Sequence, residues 1–363
     1  MKLTIIGLPK SGKTTIFNAL TMGNAEVAAY SSSLTTNIGV AKVPDGRVTD
    51  LESIYHPKKT TFAEVNYTDV AGSPKTLGTG KEAGGELLNY LTTADALIQV
   101  VRVFPDEDIP HPEGSVDPER DMAALDLELV LSDMAIIERK LKKLESTLKR
   151  AKTSEREGYL KEQSLLQNIQ RKLEQETPIR EQGLSQRELK SLSNYQFLTA
   201  KPMLIILNIG ENQIAQAENM ESQVTSTHPK FTVVAIPGKL EMELEQLNED
   251  EAKEFRESMG LGTPALNRII TTSYYSLGLI SFFTTGPDEV KAWTVNKGTT
   301  APQAAGKIHS DIERGFIRAE AISYDDLKSC GNLAEARKRG TLRKEGREYI
   351  VHDGDIINFL FHV

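Results

Sequence analysis

The chain has 363 residues, of which 39% are hydrophobic and 26% are charged, and its formal net charge is -8. This composition is that of a globular protein of two or three domains at roughly 150 residues each, and its acidic balance argues against a general nucleic-acid coat protein. The single cysteine, Cys330, excludes an intrachain disulfide and fits a reducing compartment. No run of residues is apolar enough to span a bilayer and no secretory signal is visible, so we expect a cytoplasmic protein without a membrane partner.

Short apolar runs alternate with helical segments along most of the chain. The runs are predicted to be strands, and they lie at residues 3–6, 37–43, 61–69, 96–103, 203–208 and 232–236. Strands that alternate with helices are typical of an α/β fold in which helices cover a mostly parallel sheet.

Residues 117–196, between the fourth and fifth of these strands, differ from the rest of the chain. They are charged, low in glycine and helical in period, which predicts an antiparallel helical hairpin inserted into the α/β domain. The first arm of this hairpin is basic, with Arg139, Lys140, Lys142, Lys143, Lys149, Arg150 and Lys152. Two interpretations stay open, namely a solvated helix face and an arm that contacts RNA phosphates.

The tail from residue 280 changes character again. Predicted strands at 280–285, 292–295, 315–320 and 349–352 are separated by loops that carry glycine and proline. This pattern predicts a small mixed α+β domain.

The run Gly7-Leu8-Pro9-Lys10-Ser11-Gly12-Lys13-Thr14 follows the first strand and opens a helix. Glycine at position 12 lets backbone N–H groups approach a phosphate, Lys13 supplies a positive charge between the β- and γ-phosphates, and Thr14 offers a hydroxyl to Mg²⁺. The G-x-x-x-x-G-K-[ST] spacing in this context predicts a phosphate-binding loop. We therefore assign nucleotide binding to Lys10, Ser11, Gly12, Lys13, Thr14 and Thr15, with a catalytic role for Lys13 as well.

A second phosphate element, Asp69-Val70-Ala71-Gly72, ends the third strand. Asp69 can hold Mg²⁺ through a water molecule, and the N–H of Gly72 can bind the γ-phosphate and move when that phosphate leaves. A switch hydroxyl is expected between the first helix and the second strand, where residues 31–36 offer several. The sequence alone does not choose among them.

The run Asn208-Ile209-Gly210-Glu211 ends the fifth strand, where a GTPase carries N-K-x-D. The aspartate of that motif accepts two hydrogen bonds from guanine, whereas Glu211 is longer by one methylene and does not fit the same paired geometry. The motif, which we assign to nucleotide binding through Asn208, Ile209 and Glu211, therefore favours ATP. The alternative is a GTPase whose N-K-x-D motif has become degenerate.

Many GTPases place a glutamine directly after D-x-x-G to orient the attacking water, but this chain has Ser73. Serine is too short for that reach, so we expect a low intrinsic rate of hydrolysis. His111 is a candidate catalytic proton handler or switch, and a structural loop histidine is the competing interpretation.

These motifs, together with the segment HPEGSVDPERD and the tail strings FFTTGPDEVKAWTV, APQAAGKIHSDIERGFIRAE and DGDIINFLF, carry a resemblance that covers the whole chain. The chain resembles the universal Obg-like ATPase (YchF) family of translation-factor-class P-loop proteins. The resemblance implies three domains. They are a Ras-like nucleotide domain at residues 1–116 and 197–279, an antiparallel coiled coil at 117–196, and a β-grasp (TGS) domain at 280–363.

The resemblance also implies a preference for ATP, with N-x-x-E as its marker, and Mg²⁺ bound at Thr14 and at a switch threonine. Alignment on Asn37 puts Ser33 at that threonine position, with Thr35 as the runner-up. The family's late base-binding pair is replaced by Pro237-Gly238, so Gly238 could contact the base only through its backbone.

The resemblance further implies binding to the ribosome or a ribosomal subunit, and contact with ribosomal RNA depends on the second interpretation of the basic arm. We therefore expect a slow ATPase, monomeric, that acts as a molecular switch on the ribosome. The alternatives are a GTPase of the same architecture and a nucleotide-gated RNA- or ribosome-binding module with little turnover.

Overall fold

The computed structural model describes residues 2–23, 36–70, 82–259, 261–262 and 264–362, with only the backbone for 82–84, 153 and 249. The chain forms two compact units, and each is made from two stretches of sequence. Unit 1 comprises Met1–Gly39 and Asn66–Leu266, and unit 2 comprises Val40–Val65 and Asn267–Val363. The helical hairpin lies within unit 1, and the division into three domains at the residues given above stays a prediction.

The described strands are β1 Lys2–Ile6, β2 Thr36–Lys42, β3 Lys59–Thr61, β4 Glu64–Val70, β5 Ala96–Arg102, β6 Met203–Asn208, β7 Thr232–Ile236, β8 Leu279–Thr285, β9 Glu289–Asn296, β10 Phe316–Ser323, β11 Arg343–Glu345 and β12 Asp355–Phe361. The described α-helices are α1 Lys13–Thr21, α2 Gly46–Tyr55, α3 Glu82–Thr93, α4 Pro118–Leu148, α5 Thr153–Leu173, α6 Gln186–Leu192, α7 Ala217–Thr227, α8 Gly238–Leu244, α9 Glu249–Ser258, α10 Ala265–Ser276, α11 Ala301–Ile308, α12 Ser310–Arg314, α13 Tyr324–Cys330 and α14 Leu333–Arg339. Short 3-10 helices lie at Ile179–Glu181, Ser193–Tyr195 and Glu211–Gln216.

The sheet of unit 1 has six strands in the order β2-β4-β1-β5-β6-β7. The pairs β1–β4, β1–β5, β5–β6 and β6–β7 are all parallel. Strands β5 and β6 are buried along their whole length, which is why their sequences are almost continuously apolar. The predicted α/β fold with a mostly parallel sheet is confirmed. The carboxyl ends of β1, β4, β5 and β6 lie along one edge of the sheet, where ligands bind in such folds.

The predicted helical hairpin is formed by α4 and α5, whose apolar faces share a core that includes Ile137, Leu144, Leu166 and Ile169. Two polar residues, Asp133 of α4 and Thr199, are fully buried beside each other. The Asp133 carboxylate accepts hydrogen bonds of 2.8 Å from the backbone N–H groups of Leu198 and Thr199 and one of 2.6 Å from the Thr199 hydroxyl. Burial raises the pKa of Asp133 to about 6, because the charged form loses its hydration.

Unit 2 contains a mixed sheet in the order β11-β10-β12-β8-β9-β3. β8 and β9 are antiparallel, β12 pairs parallel with β8, and β3 pairs parallel with β9. The helix α2 belongs to the same unit, because Arg47 forms a 2.8 Å ion pair with Asp353 and its guanidinium lies 5.1 Å from the centre of the Phe283 ring. The predicted mixed α+β domain is therefore present, and it also contains residues from the N-terminal part of the chain.

Two predicted strands differ in the structure. The run 61–69 is predicted as one strand, but residues 62–63 are not in a strand and separate β3 from β4. Thr61 ends β3, which lies in the sheet of unit 2, whereas β4 lies in the sheet of unit 1. Residues 349–352 form no strand, and Ile350 makes only an isolated bridge to Thr300. Strand pairing between distant residues decides both cases, and local alternation does not report it.

Candidate nucleotide-binding site

Two glycines shape the loop that joins β1 to α1. A Cβ atom on Gly7 would lie 2.5 Å from the carbonyl oxygen of Val100, so no side chain fits where the chain leaves β1. Gly12 has φ +94°, and a Cβ there would lie 2.2 Å from Nδ2 of Asn208. Both positions therefore require glycine, one for close packing on the sheet and the other for its backbone conformation as well.

The side chain of Lys13 folds back over the loop. Its Nζ donates hydrogen bonds to the carbonyl oxygens of Gly7 at 3.2 Å and Leu8 at 3.1 Å. Burial lowers the pKa of Lys13, and the nearby Asp69 carboxylate partly opposes this shift. A buried ammonium group held by carbonyl oxygens gains most from a bound anion, so the geometry of Lys13 fits the predicted phosphate contact.

Thr14 and Asp69 meet at the start of α1 and the end of β4. The Thr14 hydroxyl donates a 2.7 Å hydrogen bond to Oδ2 of Asp69, whose residue is only 2% exposed. The other carboxylate oxygen, Oδ1, is buried and has no hydrogen-bond partner among the described residues. A hydroxyl beside a buried carboxylate with one oxygen unused fits Mg²⁺, which prefers a few protein oxygens and takes its remaining ligands from water and phosphate. The described residues contain no cluster of three or more His, Cys, Asp or Glu side chains that could bind a metal by themselves.

Asn208 joins the phosphate-binding loop to the turn that follows β7. Its Nδ2 donates to the carbonyl oxygen of Ser11 at 3.0 Å, and its Oδ1 accepts from the backbone N–H of Gly238 at 3.2 Å. A Cβ on Gly238, the first residue of α8, would lie 2.6 Å from Cδ1 of Ile16, so a side chain there would force Ile16 to shift. The Asn208 amide thus fixes two loops of the site relative to each other, and its contact with a nucleotide stays a prediction.

The other two predicted base-binding residues differ in exposure. Ile209 is 3% exposed, packs in the core of unit 1, and donates its backbone N–H to the carbonyl oxygen of Ile236 at 3.0 Å. Its side chain therefore faces the core, and only its backbone is left for a nucleotide. Glu211 is exposed and begins a 3-10 helix, so its carboxylate is available to a ligand.

The remaining predicted residues of the loop are Lys10 and Thr15. Lys10 has φ +65°, which places a non-glycine residue in the left-handed region at the tip of the turn. Thr15 is half-buried near the start of α1. The predictions for Gly72, Ser33, Thr35 and Ser73 concern positions outside the described residues.

The His111 side chain is buried, and both of its ring nitrogens have a partner. Nε2 lies 2.9 Å from Oδ2 of Asp121, both side chains are 5% exposed, and Nδ1 accepts the backbone N–H of Glu113 at 3.2 Å. The other oxygen of Asp121 contacts Arg120 at 2.8 Å. In this arrangement neither ring nitrogen of His111 is available to a water molecule or a phosphate, so the histidine holds the loop after β5 against α4.

Sequence reasoning missed Arg102, the last residue of β5. It is 2% exposed although it carries a full charge, and its guanidinium donates to backbone carbonyl oxygens of the loop that follows. The signal was present in the sequence, because Arg102 is a charged residue inside the apolar run 96–103, which is predicted to be a strand of a sheet covered by helices.

A parallel sheet whose first strand leads through a glycine loop into a helix, with a lysine, a threonine and a buried aspartate at that point, defines a P-loop nucleoside triphosphatase. Comparison with known proteins gives the same class. A family model described as 50S ribosome-binding GTPase matches residues 2–140, and the model YchF-GTPase_C, described as a protein of unknown function (DUF933), matches residues 279–362.

Full-length relatives narrow the class to one family. The chain is 37% identical to the ribosome-binding ATPase YchF of Bacillus subtilis, covering 99% of this chain and 98% of the relative. It is 35% identical to the Obg-like ATPase 1 of Caenorhabditis elegans, covering 100% and 92%. The chain belongs to the YchF family of Obg-like ATPases, and the resemblance stated from its motifs is confirmed.

Solved structures agree with this membership. The structure of the Schizosaccharomyces pombe YchF GTPase superposes with a TM-score of 0.86 at 32% identity, covering 99% of this chain and 97% of that one. A GTP-binding protein from Pyrococcus horikoshii, at 19% identity and a TM-score of 0.59, shares the fold. Among the described residues, no helix combines the length and apolar character needed to cross a bilayer.

Proposed function

We propose that this protein is an ATP-binding, slowly ATP-hydrolysing molecular switch that associates with the ribosome. The proposed binding of a nucleotide is supported by the arrangement of Lys13, Thr14 and Asp69. It combines a cation of lowered pKa with a hydroxyl that lies 2.7 Å from a buried carboxylate. These are the side chains that a nucleoside triphosphate and its magnesium ion require.

Each residue of this group has a proposed task. Lys13 exchanges its two carbonyl acceptors for phosphate oxygens, and backbone N–H groups from Lys10 to Thr15 bind the phosphate chain. Thr14, Asp69 and a switch hydroxyl, Ser33 or Thr35, hold Mg²⁺. When bound, Mg²⁺ supplies neutralisation of the negative charge on the β- and γ-phosphates.

The base is the second part of the proposal. Glu211 is exposed and begins the 3-10 helix that follows β6. We assign its carboxylate, together with the backbone at Ile209 and Gly238, to contacts with the base. We assign adenine because a glutamate carboxylate does not reproduce the paired hydrogen bonds that an aspartate makes with guanine. The names of relatives include both ATPases and a GTPase, so the test has to measure the affinity of this protein for both ATP and GTP.

Ribosome association rests on relatives and on charge. The relatives from Bacillus subtilis and Escherichia coli O157:H7 are named ribosome-binding ATPases. In the basic arm, Lys140 is paired with Glu162 at 3.2 Å, whereas Lys142, Lys143, Lys149, Arg150 and Lys152 are exposed. We assign these exposed cations to contacts with ribosomal RNA phosphates. We also propose that the protein is a cytoplasmic monomer with the three domains given above.

We expect slow hydrolysis of ATP for two reasons. Ser73 replaces the glutamine that orients water in many GTPases, and both ring nitrogens of His111 are engaged. If His111 assists hydrolysis, it first has to leave Asp121. This observation also favours the second candidate function, a nucleotide-gated ribosome-binding module with little turnover.

Isothermal titration of the full-length protein with ATP and with GTP, each with Mg²⁺, tests the first part of the proposal. We expect tighter binding of ATP, and a gain in GTP affinity for Glu211→Asp. Tighter binding of GTP by the unchanged protein would favour the GTPase alternative. Phosphate release with and without ribosomes then separates the switch from the module, because the module binds ATP and releases no phosphate under either condition.

A further inference from the structure

Arg102 is a buried cation at the carboxyl end of β5. Its Nε donates to the carbonyl oxygen of Phe104 at 3.0 Å, and its Nη1 donates to that of Ile109 at 2.8 Å. Nη2 lies 3.5 Å from the carbonyl oxygen of Asp106, and the guanidinium stacks 4.9 Å from the centre of the Phe104 ring. No carboxylate forms an ion pair with Arg102 in the part of the chain that the structure describes.

A guanidinium in this position fixes the loop that it reaches. The planar fork of arginine holds its donors in one rigid geometry, so the carbonyl groups of Phe104, Asp106 and Ile109 have to stay where the fork points. Moving the loop would leave buried N–H groups of a charged side chain without acceptors, which is unfavourable. The Arg102 side chain therefore holds the loop at residues 103–109 in place, together with the Asp106 carboxylate, which accepts the backbone N–H groups of Asp108 and Ile109.

This loop lies against the proposed base-binding element. The backbone N–H of Val103 donates to the carbonyl oxygen of Asn208 at 2.9 Å. Gln213 connects both sides, because its Nε2 donates to the carbonyl oxygen of Val103 at 3.1 Å and its Oε1 accepts from the N–H of Gly210 at 2.8 Å. A Cβ on Gly210 would lie 3.4 Å from Cβ of Phe104, so the two segments are in close contact.

We propose that Arg102 is a positioning residue for base recognition. It sets the place of the segment from Asn208 to Glu211 by holding the loop on which that segment rests, and it contacts neither the base nor the phosphates. The inference rests on the proposed function, in which that segment reads adenine. The phosphate-binding loop of Lys13 and Thr14 meets this segment at the Asn208 side chain, whereas the loop of Arg102 supports the segment through the backbone of Asn208 and, through Gln213, that of Gly210. Arg102 therefore acts mainly on the base-dependent part of nucleotide affinity.

The experiment compares the affinity for ATP with that for tripolyphosphate, both with Mg²⁺, because tripolyphosphate presents the phosphate chain without a base. In the full-length protein, Arg102→Met removes every donor of the fork. We expect roughly tenfold weaker ATP binding, corresponding to the loss of one well-placed polar contact, and a change in tripolyphosphate affinity of less than about twofold.

Arg102→Lys provides a second variant that keeps the buried positive charge. A single ammonium group can reach one or two of the carbonyl oxygens but not all three in the same geometry. We therefore expect the ratio of ATP to tripolyphosphate affinity to lie between those of the wild type and Arg102→Met. A wild-type ratio in both variants would overturn the proposal.

Arg180 supplies the matched control. It is another buried arginine of unit 1, with a side chain 9% exposed, and it stacks 5.0 Å from the centre of the Phe231 ring and pairs with Asp126 at 2.6 Å. Arg180→Met should destabilise the protein without changing the affinity ratio. If Arg180→Met lowers the ratio as much as Arg102→Met does, the effect is a general loss of stability and the proposal is overturned.

A measurement on the unchanged protein avoids any folding defect of the variants. ATP should slow amide hydrogen exchange within residues 103–109 more than tripolyphosphate does, because only ATP engages the segment that rests on this loop. Equal protection by both ligands would overturn the proposal. A wild type that binds ATP no better than tripolyphosphate would instead overturn the base recognition in the proposed function, so the two failures are distinguishable.

Discussion

Gly12 and Asn208 are in such close contact that a methyl group on the glycine would lie 2.2 Å from the amide nitrogen of the asparagine. One residue belongs to the loop after β1 and the other ends β6. The asparagine amide in turn bonds Ser11 and Gly238, so this contact decides how the phosphate-binding loop and the turn after β7 fit together.

Gly12→Ala should therefore disrupt nucleotide binding. The new methyl group displaces Asn208 from its two hydrogen bonds, at about 0.5–1.5 kcal/mol each, and φ +94° strains a non-glycine residue. We expect at least roughly tenfold weaker ATP binding, measured by isothermal titration.

Gly85→Ala is the control for this substitution. Gly85 lies in α3, and nothing is within 4 Å of the position that its Cβ would take. Alanine there should raise the free energy of unfolding by about 0.5–1 kcal/mol and leave ATP affinity unchanged. Wild-type affinity in Gly12→Ala would show that the contact with Asn208 is not needed for binding.

The hydroxyl of Thr14 should be the main source of magnesium dependence. Thr14→Ala removes it beside Asp69, so the gain in ATP affinity on adding Mg²⁺ should fall roughly tenfold, whereas Thr14→Ser keeps the hydroxyl and most of the gain. Titrations with Mg²⁺ and with a chelator measure this gain directly. Equal magnesium dependence in Thr14→Ala and Thr14→Ser would contradict the assignment.

Release of His111 should raise turnover if this histidine assists hydrolysis. Asp121→Ala removes the acceptor at 2.9 Å, and we expect a several-fold higher rate of phosphate release at saturating ATP. The increase should vanish in the double variant Asp121→Ala/His111→Ala.

Arg120→Gln is the control, because it breaks the contact to the other oxygen of Asp121 and leaves the pair with His111 in place. Its turnover should equal that of the wild type. A rate in Asp121→Ala at or below the wild-type rate would identify the pair as purely structural.

Asp133 should make stability depend on pH in an unusual direction for a carboxylate. Its folded pKa, about 6, lies above the value of 3.8 expected in the unfolded chain, so the folded state binds the additional proton. The stability from this residue is complete below about pH 4 and is lost as pH rises through 6, with a total change of about 3 kcal/mol.

Urea unfolding of the wild type and Asp133→Asn between pH 5 and 7.5 isolates this contribution. The free energy of unfolding of the wild type relative to the variant should decrease as pH rises. Glu138→Gln, which changes an exposed carboxylate on the same helix, should show no such trend. A relative stability that rises with pH would show that the three hydrogen bonds to Asp133 outweigh its burial.

The phosphate-binding loop could be predicted because its residues are contiguous and their chemistry fixes their spacing. Asp69 could be predicted as a site residue because it lies at the end of a predicted strand. The orientation of Ile209 could not be predicted, because it depends on which face of the segment meets the core. The pairing of His111 with Asp121 and the reach of Arg102 depend on how a loop folds back, which periodicity does not report.

The same limit applies to the fold. Alternation of strands and helices predicted the parallel sheet and the hairpin, since both follow from local periods. The division of residues 59–70 between two sheets depends on the pairing of β3 with β9, more than 200 residues further along the chain. No local pattern contains that information.

The place of β3 also bears on how such a protein can evolve. The sheet of unit 2 takes five of its strands from the C-terminal part of the chain and the sixth, β3, from a segment enclosed by the nucleotide-binding unit. A gene fusion with a single breakpoint before β8 would transfer five strands and leave their partner with the donor. Exchange of the complete unit requires two further breakpoints, one on each side of residues 40–65, so a single fusion cannot transfer unit 2 intact.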